Sequence, residues 1–175
     1  MARVLIVGCG CRGRSLAIAL LAEGYAVRGT TRDPTRTHEL AASGVEGVVA
    51  DPDRLATLTP HLEGVSALCW LMGSASGATA QVGALHGPRL RSLLEALVDT
   101  HVRGFVYEGS GALERGLLAE GAGTVRDVGE TFHMPVAVVD AEPAGLDAWL
   151  AARGAPESPT GHGGFLFRRR GRGSM

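Results

Sequence analysis

A short apolar run, Val4-Leu5-Ile6-Val7, stops at Gly8, and glycines then recur at Gly10 and Gly13. An unbroken apolar run that ends at a glycine has the pattern of a strand buried on both faces of a parallel sheet. Residues 12–23 follow, with Leu16, Ala17, Leu20 and Leu21 on one stripe, which is the length and period of a helix closed by Gly24. Residues 26–30 then supply a second strand. Strand, glycine turn, helix and strand in succession restrict the chain to a right-handed βαβ unit, and every later element has to extend that sheet.

The glycine spacing has a mechanical reason. Gly8 permits the tight turn out of the strand, Gly10 leaves room for a ligand against the backbone, and Gly13 lets the helix pack closely on the strand. The free N–H groups at the helix start then face a phosphate. Glycine at this spacing is a weak signal by itself in a chain with 26 glycines, but its place between strand and helix makes dinucleotide binding the expectation. The turn residues Gly8, Cys9, Gly10, Cys11, Arg12 and Gly13 are the expected cofactor contacts.

Cofactor choice follows from the end of the second strand. An NAD site wants a carboxylate there for the ribose 2′-hydroxyl, whereas this chain offers Thr31 and Arg32, a hydroxyl and a guanidinium suited to a 2′-phosphate. NADP is therefore expected over NAD, with Arg12 as a second cation on the same side. Asp33 precedes Pro34 and is assigned to the cap of the next helix.

Taken in order, helices are expected at 34–43, 54–62, 88–100, 117–131 and 144–153, and strands at 45–50, 65–71, 104–107 and 136–139. The fold class is thus α/β: a doubly wound parallel sheet, the three-layer Rossmann fold, in a single domain with strand order 3-2-1-4-5-6. Residues 1–153 form that domain, and 154–175 form a tail rich in Gly, Pro and Arg. The length suits one compact domain, and 45% hydrophobic residues with a net charge of −1 fit an ordinary globular protein without a nucleic-acid surface. No apolar run is long enough for a membrane span, and no leader precedes the first strand, so a cytoplasmic setting is expected. Cys9, Cys11 and Cys69 are expected to be small buried residues, and no metal site is expected.

The strings Gly8-Cys-Gly-Cys-Arg-Gly13, Gly24-Tyr-Ala-Val-Arg-Gly-Thr-Thr-Arg32, Gly44-Val-Glu-Gly-Val-Val-Ala-Asp51 and Gly64-Val-Ser-Ala-Leu-Cys-Trp-Leu-Met72 resemble the atypical, epimerase/dehydratase-like branch of the short-chain dehydrogenase/reductase superfamily. The resemblance runs from residue 3 to about 143 and is strongest over the first seventy residues. It implies an adenine contact at Asp51, a loop at Met72-Gly73 that passes the nicotinamide ribose, and a homodimer through the helices at 88–100 and 117–131. Where relatives end the fifth strand in a serine pair, this chain has Glu108-Gly109-Ser110.

Two departures stand out. All 17 basic residues are arginine, so this chain cannot supply the superfamily's catalytic Tyr-x-x-x-Lys pair, and it extends only a short way past the sixth strand, where relatives continue into a substrate domain. Ligands of open parallel sheets bind outside the carboxyl ends of the strands. By that rule His86, placed in the loop after the fourth strand, and Ser110 are the catalytic candidates, with Glu108 beside them; the alternative for His86 is a solvated surface residue. Two functions follow: a small NADP-dependent oxidoreductase or epimerase-like protein with an unknown small-molecule substrate, or a non-catalytic NADP(H)-binding redox sensor.

Overall fold

In a computed structural model of the chain, residues 1–139 are described. The expected helix at 144–153 and the tail at 154–175 lie outside them. Six parallel strands form one sheet in the order β3-β2-β1-β4-β5-β6, where β1 is Arg3–Val7, β2 Ala26–Thr31, β3 Glu46–Val49, β4 Val65–Trp70, β5 Phe105–Glu108 and β6 Val136–Val139. The expected strand order is the observed one. It follows from chirality, because each right-handed crossover places its helix on the face opposite to that of the crossover running the other way from β1.

Strand alternation divides the core into two layers. Val4 and Ile6 of β1 pack with Ala67 and Cys69 of β4 against Leu16, Ala17 and Leu20 of α1 (Cys11–Ala22) and Leu40 of α2 (Thr37–Ala42). Leu5, Val7, Leu68, Trp70, Phe105 and Tyr107 face the other way. They meet Leu85 of α4 (Thr79–His86), four leucines of α5 (Pro88–Leu97), and Ala122, Val125 and Val128 of α6 (Arg115–Phe132). Leu90, Leu93, Leu94 and Leu97 of α5 are at most 1% exposed, so each removes a full side chain from water, about 2 kcal/mol apiece. Trp70 is wholly buried, and its indole N–H donates to the Leu85 carbonyl at 3.1 Å.

Four expectations are corrected. His86 is not in a loop, because residues 79–86 form α4, hidden in the sequence by a Gly/Ala/Thr-rich stretch in which only Val82, Leu85 and His86 turn inward. The helix expected at 54–62 is a short α3 (Leu55–Leu58) followed by a 3₁₀ turn, Thr59–His61, into which Pro60 brings no backbone donor. The helix expected at 34–43 begins as a 3₁₀ turn, Pro34–Arg36. α5 ends at Leu97, where the Thr100 hydroxyl donates to the Leu97 carbonyl at 2.7 Å. No helix among the described residues is long and apolar enough to cross a membrane.

Candidate functional site

The β1–α1 turn is held from below. Gly8 N–H donates to Thr30 Oγ1 and Cys9 N–H to the Thr30 carbonyl, both at 3.3 Å, and Gly10 N–H returns to the Gly8 carbonyl at 2.8 Å. Gly8 has φ +88°, and a Cβ there would strike the Met72 side chain and lie 2.5 Å from the Leu71 carbonyl oxygen. A Cβ on Gly13 would lie 2.8 Å from the Gly8 carbonyl oxygen. Those two glycines are demanded by the protein's own packing. Gly10 differs, because a Cβ there would meet nothing within 4 Å. It also caps α1 without a side-chain bond, so the first-turn N–H groups and their partial positive charge face open space. An anionic pyrophosphate fits that space.

The space belongs to a cleft of about 510 Å³ along the carboxyl edge of the sheet. Gly8, Cys9, Gly10, Cys11 and Arg12 line it, as do Thr31 and Arg32 at the β2 end and Met72 at the β4 end. Arg36, on the 3₁₀ turn after β2, lines it as well, and sequence reasoning missed it. Asp33 caps that turn as expected: its carboxylate accepts from Thr35 N–H at 2.9 Å and Thr35 Oγ1 at 2.7 Å. The Thr35 hydroxyl and then its N–H hold the Asp33 pKa below the usual carboxylate range.

Two residues, Arg12 and Cys11, depart from expectation here. Arg12 does not turn toward Arg32; its Nη1 donates to Glu108 Oε1 at 2.8 Å and to the Ser110 carbonyl at 3.4 Å, because a buried carboxylate at the end of β5 attracts it more strongly than a second cation could. The Asp51 carboxylate accepts from Asp53 N–H at 3.0 Å within its own turn, of which Ala50, Pro52 and Asp53 line the cleft. Cys11 is exposed as the first residue of α1, while Cys9 and Cys69 are buried as expected. Burial pushes the Cys9 thiol up to about 11, outweighing the nearby Arg14 and Arg36, so it stays protonated at neutral pH. Its sulfur occupies the room left by Gly29, where a Cβ would lie 2.8 Å from it.

On the β4–β5 side the loops are tied together by one side chain. Glu108 is 1% exposed and lines the cleft; its Oε2 accepts from Gly73 N–H at 2.8 Å while Oε1 takes Arg12. A Cβ on Gly73 would strike the Ser110 carbonyl, so the two loops touch backbone to backbone. Gly73 and Ser110 lie behind the wall, and Ser74 to Gly77 form its rim. His86 is 1% exposed and also outside the wall. Its Nε2 is 3.2 Å from the Met72 carbonyl, which can only accept, so Nε2 carries the proton and Nδ1 accepts from Tyr107 Oη at 2.6 Å. Burial lowers its pKa and keeps the ring neutral. The solvated alternative for His86 is thereby corrected. Among the described residues no cluster of ligands could hold a metal ion.

A family model described as NAD(P)H-binding matches residues 8–134. No curated protein matches the chain. Among solved structures, one described as a short-chain dehydrogenase/reductase family oxidoreductase from Aeromonas hydrophila superposes with a TM-score of 0.67 at 16% identity, covering 91% of this chain and 93% of that one. The UDP-glucuronic acid 4-epimerase from Bacillus cereus, in complex with UDP-glucuronic acid and NAD, gives 0.61 at 18% identity over 78% of this chain and 55% of the epimerase. Vestitone reductase from alfalfa gives 0.59 at 19% identity over 79% and 56%. The chain thus spans about half the length of the epimerase and of vestitone reductase, and at such identities the likeness is one of fold.

Proposed function

Because the chain belongs to the NAD(P)H-binding family, we propose that it binds NADP(H) in preference to NAD(H) and serves as a small oxidoreductase or epimerase-like protein. The observation that carries this is the open space before Gly10, bounded by the uncapped start of α1 on one side and by Thr31, Arg32 and Arg36 on another. The helix start suits the pyrophosphate, and the two guanidiniums suit a 2′-phosphate that a carboxylate would repel. The nicotinamide, when bound, supplies hydride transfer. The chain's part is to orient it across Met72 and Ser74, with Gly73 supporting that loop from behind, and to keep water from its inner face with Leu71, Val82 and Leu85. A cytoplasmic homodimer through α5 and α6 is proposed with it, supported by Val98 and Phe132 at the ends of those helices, 38% and 44% exposed. Light scattering at micromolar concentration checks the dimer, and a monomer there removes it.

A second reading has its own support. This chain contains no lysine, and Ser110 and His86 stand behind the cleft wall, which favours a non-catalytic NADP(H)-binding redox sensor. Fluorescence titration of NADPH and NADH tests the shared premise. Arg32→Ala should weaken NADPH by roughly 1.5–3 kcal/mol, the scale of a hydrogen bond to a charged group, and leave NADH nearly unchanged. Thr31→Asp should reverse the preference. Equal loss of both cofactors in Arg32→Ala, or a wild type that prefers NADH, overturns the NADP assignment.

A further inference from the structure

Arg12 and Glu108 form a unit that the cofactor motif does not explain. A carboxylate that is 1% exposed, set at the edge of a cleft built for a polyanion, works against its ligand unless another group takes up its charge. Arg12 does so from 96 residues away in sequence, at 2.8 Å, with its own side chain 37% exposed. The contact uses one nitrogen: Nη1 donates both to Glu108 and to the Ser110 carbonyl. Among the described residues no partner holds Nε or Nη2. A guanidinium is a planar fork, and the Nε–H and Nη2–H groups are its side-on pair, the edge that takes two oxygens of one anion at once.

We infer that Arg12 is an oxyanion fork, with Glu108 as the residue that positions it, and that the anion it takes is the diphosphate of the dinucleotide. This rests on the cofactor reading above but assigns Arg12 a different part from Arg32 and Arg36. Those two serve the adenosine end, whereas Arg12 leans from the start of α1 toward β5 and serves the link to the nicotinamide half. Glu108 contributes by geometry. It fixes Nη1 so that the free edge of the fork stays turned to the cleft, which removes side-chain entropy that binding would otherwise have to overcome.

The experiment is a titration of NADPH and NADH, with adenosine 2′-monophosphate as a competitor that carries the 2′-phosphate but no diphosphate. In Arg12→Gln both dinucleotides should weaken by roughly 10- to 100-fold, with their ratio unchanged and the monophosphate unaffected. Glu108→Gln, which keeps an acceptor for Arg12, should lose less than Glu108→Leu. On the Arg12→Gln background Glu108→Gln, which keeps an acceptor for the Gly73 N–H, should cost nothing further and leave binding below wild type, because Glu108 acts on the ligand through Arg12. Retained binding of adenosine 2′-monophosphate shows that each variant is folded. A loss confined to NADPH would make Arg12 a 2′-phosphate ligand and overturn the inference, as would unchanged dinucleotide binding or additive losses in the double variant. A wild type that binds neither dinucleotide would instead defeat the cofactor reading itself.

Discussion

The two ends of the cleft are built by different means. At the β1–β2 end the turn is held by backbone and small side chains, with Gly8 and Gly13 packed close, Cys9 seated against Gly29 and Thr30 bonding by its hydroxyl and carbonyl, while Arg32 and Arg36 line the cleft beside it without entering those ties. At the β4–β5 end it is held by ionised and polar side chains that reach across loops, with Glu108 joining Gly73 to Arg12 and His86 joining Met72 to Tyr107. The first end is set by backbone constraints, its Gly8–Thr30 hydrogen bond spanning 22 residues, whereas the Arg12–Glu108 pair at the second spans 96. The second depends on partners that meet only once the sheet has closed.

The largest expected effect tests whether the second end is as unyielding as the first. Gly8→Ala combines a positive φ with a Cβ driven into the Leu71 carbonyl, and should cost about 3 kcal/mol of stability. Gly73 is not a positive-φ glycine, yet a Cβ there would meet the Ser110 carbonyl and stand 2.9 Å from Glu108 Oε2. If the side-chain ties hold the loops rigidly, chemical denaturation should show a comparable loss, about 2–3 kcal/mol. A Gly73→Ala protein as stable as wild type would mean that the β4 and β5 loops give way, and the contrast between the two ends would then be one of stiffness.

A smaller effect should appear in acid. His86 is neutral in the fold, with its pKa lowered by burial from an ordinary 6.5, so below that pH the unfolded chain takes up a proton that the native one does not. Stability should therefore be full above about pH 6.5 and fall as the pH drops through and below it, by at most about 1.4 kcal/mol per pH unit. Thermal melts between pH 7 and pH 5 measure the slope. In His86→Gln the melting temperature starts lower, since the Tyr107 contact is altered, but this part of the slope should vanish. An unchanged slope would show that the ring is protonated in the fold without penalty.

How much of this was legible depends on sequence distance. The sheet order, the glycine turn and the Asp33 cap are written in residues a few positions apart, where periodicity and capping chemistry act. α4 escaped because Gly77-Ala-Thr-Ala-Gln-Val-Gly-Ala84 offers almost no apolar period, and its helix is fixed by contact with α5 and α6 instead. Arg12 was foreseen as a cleft cation, but its direction was not, since that is decided by Glu108 far along the chain. Ser110 and Glu108 shared the right edge, and strand alternation together with the Gly73 N–H made Glu108 the one that lines the cleft.

The smallest expected effect separates a glycine kept for the fold from one kept for the ligand. Nothing lies within 4 Å of a Cβ on Gly10, and its φ of −78° is open to any residue. Gly10→Ala should therefore leave stability within about 0.5 kcal/mol of wild type, or raise it slightly by restricting the unfolded chain. The same methyl group stands before the uncapped first turn of α1, where the pyrophosphate is expected, so NADPH affinity should fall although the protein is as stable as before. Gly13→Ala provides the opposite case, because its Cβ meets the Gly8 carbonyl at 2.8 Å and destabilises the fold whether or not a cofactor is present. Unfolding curves recorded with and without saturating NADPH read both quantities at once: the cofactor-induced stabilisation of wild type should shrink in Gly10→Ala with the cofactor-free curve unmoved. If the cofactor-free curve moves and the stabilisation persists, Gly10 belongs with Gly8 and Gly13 as a residue of the fold.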